Sequence, residues 1–530
     1  MKEFNTTGVC IPAKHYMVDI SGHVEEIRKL VNAGKYFTMN RARQYGKTTT
    51  LNVLRGALMD NYFVVSISFQ RLGNDDFKNE HVFSSSFVLL VEQALSRLDN
   101  VPDSVFKVLE KIQESVSKED YRFLKLFIDL QTMIQKAPKP FVLIIDEVDS
   151  ATNNQVFLDF LAQLREGYIS RDTDGIPAFH SVILAGVTDV KHLRSKIRDD
   201  NQHKVNSPWN IAADFNVDMS LSSEGILGML DEYESDHNTG MDTELIAMKI
   251  REYTSGYPFL VSRICELIDK EVSQLFGSLA KAWSLSGIEE AVKRILSEQN
   301  TLFQSLTGKL TNYPDIEIPL RKILMEGLNV TYNPDQEEIA QLQMYGFIRN
   351  DNGMISISNR IFEMRLYNLF LSKEELKDNV FFREGSLAKN IFVSEGKLNM
   401  RLVLEHFRET YTQVFGPLQD KFSEKDGREL FLLYLKPIIN GTGNYYIEAQ
   451  TRNQTRTDIV VDYLGQQYIV ELKIWRGPRY NAEGEEQLKE YLEHFNLEVG
   501  YMLSFNFNKN KKTGMKQVKV GSKIIFEETI

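Results

Sequence analysis

The sequence predicts an α/β protein in three successive parts, and three observations carry that expectation. Short apolar runs alternate with helix-compatible stretches through the first part, the pattern of a parallel sheet. One of those runs, Phe141-Val142-Leu143-Ile144-Ile145, is unbroken by polar residues, as in a strand buried on both faces. After a long helical middle, short strands return near the C-terminus. The boundaries read from these shifts are 1–222, 223–375 and 376–530, and 530 residues is too long for a single hydrophobic core.

Taken in order, Tyr36-Phe37-Thr38-Met39 is a strand, and a helix-compatible segment, Thr48 to Leu58, follows a Gly46-Lys47 turn. Tyr62 to Phe69 is the next strand, and Phe83 to Gln135 is mostly helical by its apolar spacing. Strands at Phe141–Ile145 and Ser181–Val187 complete the first part. From Ser223 to Gln299 the pattern is helical, broken by Gly256-Tyr257-Pro258 and resumed at Phe259–Ile268. Helices at Leu320–Gly327 and Glu337–Tyr345 precede a strand at Phe347–Arg349, a turn ending in Asn352-Gly353 and a strand at Met354–Ser358. The Asn-Gly step signals a hairpin. Helices followed by a hairpin suggest a winged-helix-like module, or a helical lid with an incidental hairpin. Ser372 to Asp378 reads as a polar linker. A helical stretch to about Leu435 and strands at Tyr445–Glu448, Thr457–Tyr463, Gln467–Ile474 and Gly500–Phe505 make up the last part.

Composition is that of an ordinary globular protein. No apolar run approaches the roughly 20 residues that span a bilayer, so no membrane partner is expected. Met1 to Lys14 lacks a secretory pattern, and two cysteines are too few for a disulfide framework. The cytoplasm is the expected compartment. A net charge of −11 argues against a general nucleic-acid coat protein. It leaves locally basic surfaces open, and one basic stretch runs through Lys509, Lys511, Lys512, Lys516, Lys519 and Lys523. A solvated hairpin loop is its plain alternative.

Gly46, Lys47 and Thr48 supply the second half of a phosphate-binding loop. Backbone N–H groups face the phosphates, the Lys ammonium meets the β/γ-phosphates and the Thr hydroxyl binds Mg²⁺. Arg41 stands where the usual first glycine would be. Asp146-Glu147 directly follows the buried strand, where a parallel sheet opens toward its ligand. Asp146 could hold Mg²⁺ through water, while Glu147 polarises the water that attacks the γ-phosphate. The other reading is a carboxylate cluster at the start of a helix near Asn153. Thr188 and Asp189, after the next strand, are placed to sense the γ-phosphate. Arg41, Arg43, Arg194 and Arg198 are candidate charge stabilisers.

KYFTMNRARQYGKTTTL, FVLIIDEVDS and SPWNIAADFNVDMSLS, together with IPAKHYMVD upstream, resemble AAA-like ATPases of the P-loop (ASCE) type. The similarity covers most of residues 8 to 275. That family commonly lacks the first loop glycine, so Arg41 fits it. The resemblance implies ATP binding and hydrolysis, with Arg43 among the nucleotide contacts. Gly256-Tyr257-Pro258 and the helices beyond resemble the lid and winged-helix portion of signal-transduction ATPases.

In the last part, Glu471 and Lys473 are two residues apart and project from one strand face. Asp458 lies on the preceding strand, a hairpin away across Gly465. Paired strands would bring Asp458 and Glu471 together around one Mg²⁺, with Lys473 orienting water or stabilising charge on the phosphate. An exposed Glu–Lys strand face is the alternative. TDIVVDYLGQQYIVELKIWRG resembles the PD-(D/E)XK nuclease superfamily, whose fold is restriction-endonuclease-like. Gln487 and Tyr491 match a Gln-x-x-x-Tyr signature of that superfamily, which places Gln487 with the catalytic set. Glu429 is the candidate for its additional acidic residue. The combined expectation is an ATP- and Mg²⁺-using protein that cuts nucleic acid, with defence as a setting and oligomerisation left open. The alternative is a switch ATPase whose C-terminal domain binds without cutting.

Overall fold

The computed structural model describes residues 2–530 apart from 117–119, 153, 188–208, 326–327, 329, 376–378, 395–396, 416–421, 440–442, 448–457 and 509–510. It divides into two compact units: residues 1–221 with 344–346, and residues 222–343 with 347–530.

In the first unit the alternating apolar runs become strands β1 (Tyr36–Asn40), β2 (Phe63–Ser68), β3 (Phe141–Asp146) and β4 (Ser181–Gly186). They form one parallel sheet in the order β1-β4-β3-β2, which puts the loop after β1 and the acidic end of β3 on the same edge. Every residue of β3 and β4 is buried, as an unbroken apolar run requires. Helix α1 (Lys47–Leu58) turns Leu51, Leu54 and Leu58 inward, one stripe of a helical period. Helices α2 (Glu80–Leu95) and α3 (Gln155–Asp174) pack aromatic residues over the sheet, with Phe83 and Phe160 centroids 5.1 Å apart. The expected long helical run between β2 and β3 is in fact broken into α2 and two further helices, Asp103–Val116 and Phe123–Gln135. Tyr36 and Trp209 tie the sheet to later segments. The Tyr36 hydroxyl donates to the Phe179 carbonyl at 2.8 Å, and the indole N–H of Trp209 donates to Thr38 Oγ1 at 3.0 Å.

The second unit opens with helices α4 (Ser223–His237), α5 (Thr243–Thr254), α6 (Pro258–Leu267), α7 (Leu285–Ser297) and α8 (Thr301–Asn312). The break before α6 has a physical cause. Ser255 and Gly256 adopt φ of 49° and 71°, and Pro258 then takes the first helical position, where its missing N–H is harmless. Helices α9 (Glu317–Leu324) and α10 (Glu337–Met344) lead to strands β5 (Ile348–Asp351) and β6 (Met354–Ile357), which pair antiparallel. Their turn has Asn352 and Gly353 at positive φ, with the Gly353 N–H donating to Asn350 Oδ1 at 2.8 Å. This is the winged-helix-like module. Helix α11 (Arg360–Glu375) corrects the first part of the linker expectation, because it continues through Ser372 to Glu375, while 376–378 lie outside the described residues. Charged residues there extend a helix whose earlier turns bury Phe362, Leu366 and Phe370.

Helices α12 (Val380–Phe392), α13 (Met400–Phe415) and α14 (Glu424–Ile439) then precede a six-stranded sheet. Its strands are β7 (Gly443–Ile447), β8 (Asp458–Tyr463), β9 (Gln466–Ile474), β10 (Val499–Phe505), β11 (Gly514–Val520) and β12 (Lys523–Thr529), with α15 (Pro478–His494) between β9 and β10. The order is β7-β8-β9-β10-β12-β11, mixed in direction, with β9, β10 and β12 parallel. Of the basic stretch near the C-terminus, Lys511 and Lys512 precede β11, and Lys516, Lys519 and Lys523 fall on the β11–β12 hairpin. There Lys516 pairs with buried Glu527 at 2.7 Å and Lys523 with Glu498 at 3.0 Å, while Lys509 lies outside the described residues. Among the described residues no helix is long and apolar enough to cross a membrane.

Candidate functional site

The loop between β1 and α1 is shaped by two left-handed residues, Gln44 (φ 57°) and Gly46 (φ 79°). Gly46 takes this conformation without a Cβ clash and starts α1, so the first N–H groups of the helix point into the loop. Lys47 is buried, and its ammonium donates to the carbonyls of Arg41 and Ala42 at 2.9 and 3.1 Å. Burial lowers its pKa, against the pull of Glu147, Asp149 and Asp146. Thr48 Oγ1 donates to Asp146 Oδ2 at 2.9 Å, so a hydroxyl from the first turn of α1 meets the carboxylate that ends β3. These are the hard oxygen donors that Mg²⁺ selects, and the pair fits that ion.

Glu147 turns off the strand in the left-handed region (φ 55°), an uncommon conformation for a bulky side chain, and its N–H donates to Asp146 Oδ1 at 2.9 Å. The turn leaves the Glu147 side chain exposed to the open edge of the sheet. Its carboxyl is raised above the ordinary carboxylate value by local desolvation and by Asp146, with Lys47 and Arg43 opposing. Arg43 thus acts electrostatically on both Lys47 and Glu147.

Arg41 does not face the phosphate loop. Its guanidinium donates to the carbonyls of Val217 at 2.6 Å and Asn40 at 2.9 Å and lies 5.0 Å from the Phe215 ring centroid. The residue in the first-glycine position therefore holds the loop to a later segment. Thr188, Asp189, Arg194 and Arg198 lie outside the described residues. Asp149 was missed by sequence reasoning. It accepts the Val187 N–H at 2.7 Å, joining the ends of β3 and β4, and it is the third carboxylate of the DEVDS run.

In the second unit the register of β8 and β9 sets Asp458 directly opposite Glu471. Opposed positions share a sheet face. Glu471 is completely buried, and its Oε1 lies 2.8 Å from the Lys473 ammonium. Burial alone would lower the Lys473 pKa; the charge and hydrogen bond of Glu471 outweigh it and hold the ammonium above its ordinary value. Lys473 also donates to Gln487 Oε1 at 3.3 Å. It passes beneath Gly484, where an added Cβ would sit 3.1 Å from Lys473 Cε. Gly484 is thus what lets α15 lie on this face. An acid that touches the site, and that the sequence did not single out, is Glu424. Glu424 Oε1 accepts the Ile474 N–H at 3.3 Å, and its charge acts on Lys473. Position at the first turn of α14, not composition, singles it out. Sequence reasoning also missed a second polar cluster under α15, where Ser504 and Asn481 donate to buried Glu527 at 2.8 and 3.1 Å.

The closed end of the same hairpin is gripped by the preceding helices. The Tyr253 hydroxyl of α5 donates to Asp462 Oδ2 at 2.5 Å, and the Gly465 N–H donates to Glu289 Oε2 of α7 at 2.9 Å. Burial and the nearby Asp462 push Glu289 up to about 7, with the Gly465 N–H and Lys249 opposing. A carboxyl raised on folding stabilises most below its unfolded value, and that contribution is lost as pH rises toward about 7. Glu289→Gln keeps an oxygen for Gly465. It should make the protein about 1 kcal/mol more stable at pH 8 and no more stable at pH 5, once solvent screening is allowed for. Urea midpoints at the two pH values check this; an equal effect at both would count against it.

A parallel sheet with a phosphate loop on one edge and a carboxylate pair beside it is a P-loop ATPase fold, followed here by a winged-helix-like region and an α/β nuclease-type sheet. The AAA-like domain model matches residues 9–372, and the PD-(D/E)XK nuclease superfamily model matches residues 444–518. The chain belongs to the AAA-like domain family and carries a C-terminal domain of the PD-(D/E)XK nuclease superfamily. Among solved structures it is similar to a Walker-type ATPase of Pyrococcus abyssi at 13% identity, with a TM-score of 0.45, covering 68% of this chain and 99% of that one. It is also similar to the Aeropyrum pernix ORC2 protein in its ADPNP–ADP complexes (13% identity, TM-score 0.33, covering 67% and 93%). The Aeropyrum pernix ORC1 protein in complex with DNA is a third (10% identity, TM-score 0.29, covering 67% and 94%). No curated protein matches.

Proposed function

We propose that this protein hydrolyses ATP in residues 1–222, responds through a lid and winged-helix-like region in residues 223–375, and cleaves nucleic acid with residues 376–530. Glu471 is the observation that carries the reading. A fully buried carboxylate costs several kcal/mol unless it is paired or ligates a cation. Its ammonium partner Lys473, and Asp458 at the strand position opposite, are the residue types that phosphodiester cleavage uses. Asp458 and Glu471 would hold Mg²⁺, and Thr48 with Asp146 would hold the Mg²⁺ of ATP. When bound, the ion supplies Lewis acidity toward phosphate oxygens.

The chain's own groups do the rest. Lys473 stabilises charge that develops on the phosphate, and Gln487 orients Lys473. Lys47 meets the β/γ-phosphates in place of its present carbonyl partners. Glu147 takes the proton of the attacking water, for which a raised carboxyl is better suited than an ordinary one. Arg43 adds charge near the γ-phosphate, and Thr188 is the proposed γ-phosphate sensor. A nucleotide-gated cutter suits cytoplasmic defence against foreign nucleic acid.

The test is a panel of linear, circular and single-stranded DNA and RNA incubated with the purified chain, with and without Mg²⁺ and ATP. Cleavage that needs Mg²⁺ and changes with ATP is the expected result. Binding without cleavage under every metal would replace it with the switch reading.

A further inference from the structure

A cavity of about 250 Å³ adjoins the nucleotide loop in the first unit, between α1, the end of β2 and α2. It shares a wall with Thr48 and Asp146, but its opposite side is arginine: Arg55 from α1, Arg71 just after β2 and Arg97 just after α2. All three are exposed. Among the described residues none of them has a carboxylate within ion-pair distance, and the side-chain partners of Arg71 and Arg55 are neutral. Arg71 Nη1 donates to Gln93 Oε1 at 2.9 Å and Arg55 Nη2 to Asn52 Oδ1 at 3.1 Å, and both amides also line the cavity. Amide oxygens fix the planes of the guanidiniums without cancelling their charge.

The one carboxylate on the wall, Asp146, is already engaged by Thr48 Oγ1 and the Glu147 N–H. Three cations against one anion is a sharp local departure in a chain of net charge −11. Guanidinium forks match phosphate oxygens in geometry as well as charge. The volume falls below that of pockets that enclose whole drug-sized ligands, which start near ~300 Å³, and suits one phosphate group with part of its hydration.

We propose that this cavity binds a phosphate group of a second ligand, separate from the nucleotide held by Gly46, Lys47 and Thr48. The phosphate is carried either by a nucleic-acid backbone or by a small polyphosphate. Because the site shares Thr48 and Asp146 with the nucleotide site, occupancy of either changes affinity at the other by the same factor. The inference rests on the nucleotide reading above, so the experiment separates the two.

Full-length protein is first saturated with a non-hydrolysable ATP analogue and Mg²⁺, which fills the loop; failure at this step sinks the nucleotide reading instead. It is then titrated in two arms, with inorganic tripolyphosphate and with a short phosphorothioate single-stranded DNA. The same titrations use Arg55→Gln/Arg71→Gln/Arg97→Gln, whose changes are at exposed positions. The variant should bind the ATP analogue and lose tenfold or more in probe affinity. For the DNA arm, the slope of log affinity against log salt should fall by ~0.7, the contribution of the one phosphate contact that is lost. Loss in both arms, or in the tripolyphosphate arm alone, identifies a site open to small polyphosphates. Loss in the DNA arm alone identifies a backbone site. Unchanged affinity in both arms, with the analogue bound, overturns the proposal.

Discussion

Glu471→Ala and Asp458→Ala should each reduce Mg²⁺-dependent cleavage by on the order of a thousandfold, about 4 kcal/mol of barrier. Binding of Mn²⁺ by the full chain, followed by its paramagnetic signal, should weaken in both while the ATP analogue still binds. Lys473→Ala behaves differently for a structural reason. It removes the 2.8 Å ammonium partner of a carboxylate with no solvent exposure, so the folded state loses the cation that offsets a buried charge. The domain should melt at a lower temperature without Mg²⁺, and Mg²⁺ should raise that temperature more than it does in the parent, because the cation replaces the missing charge. Cleavage should fall even when metal is saturating. An unchanged Mg²⁺ shift in Lys473→Ala would mean that Glu471 does not reach the ion.

The second large effect belongs to the nucleotide site. Glu147→Gln should bind ATP as the parent does and hydrolyse it a hundredfold or more slowly, since the amide cannot accept the proton of water. Lys47→Ala should instead lose binding, by about tenfold or more. Calorimetry with the analogue and a phosphate-release assay distinguish the two patterns. The parent's turnover should also rise with pH along an acid limb set above the ordinary carboxylate value, because the Glu147 carboxyl is raised. Equal turnover in Glu147→Gln and parent would remove Glu147 from the mechanism.

Sequence was most legible where chemistry and local geometry coincide. Gly46, Lys47 and Thr48 announce a loop whose conformation depends on a residue tolerant of positive φ. Asp146 announces itself because a charge ends an apolar strand that tertiary structure then buries. Glu471 and Lys473 stand out by the same logic. What stayed hidden depends on distant pairing. Glu424 could not be singled out, since only the packing of α14 against β9 brings its carboxylate to the Ile474 N–H. The role of Arg41 needed Val217 and Phe215, about 175 residues away along the chain. Strand β12, whose alternation is masked by Lys523, Glu527 and Glu528, becomes evident only once those charges find Glu498, Lys516 and Arg408.

The grip of α5 and α7 on the hairpin turn has a mechanical consequence. Strands β8 and β9 are hydrogen-bonded along their whole shared length, so the hairpin behaves as a stiff arm. Its fulcrum is the cluster of Tyr253, Asp462 and Glu289, and its tip carries Asp458 and Glu471. From Asp462 to Asp458 the arm is about 13 Å long at ~3.3 Å per residue, so a tilt of about 10° at the helices displaces the tip by about 2 Å. Productive metal and catalytic geometries tolerate only ~0.5 Å. A displacement of that size would carry Asp458 and Glu471 together, in unchanged register, so it would realign the pair toward a substrate without taking the two apart.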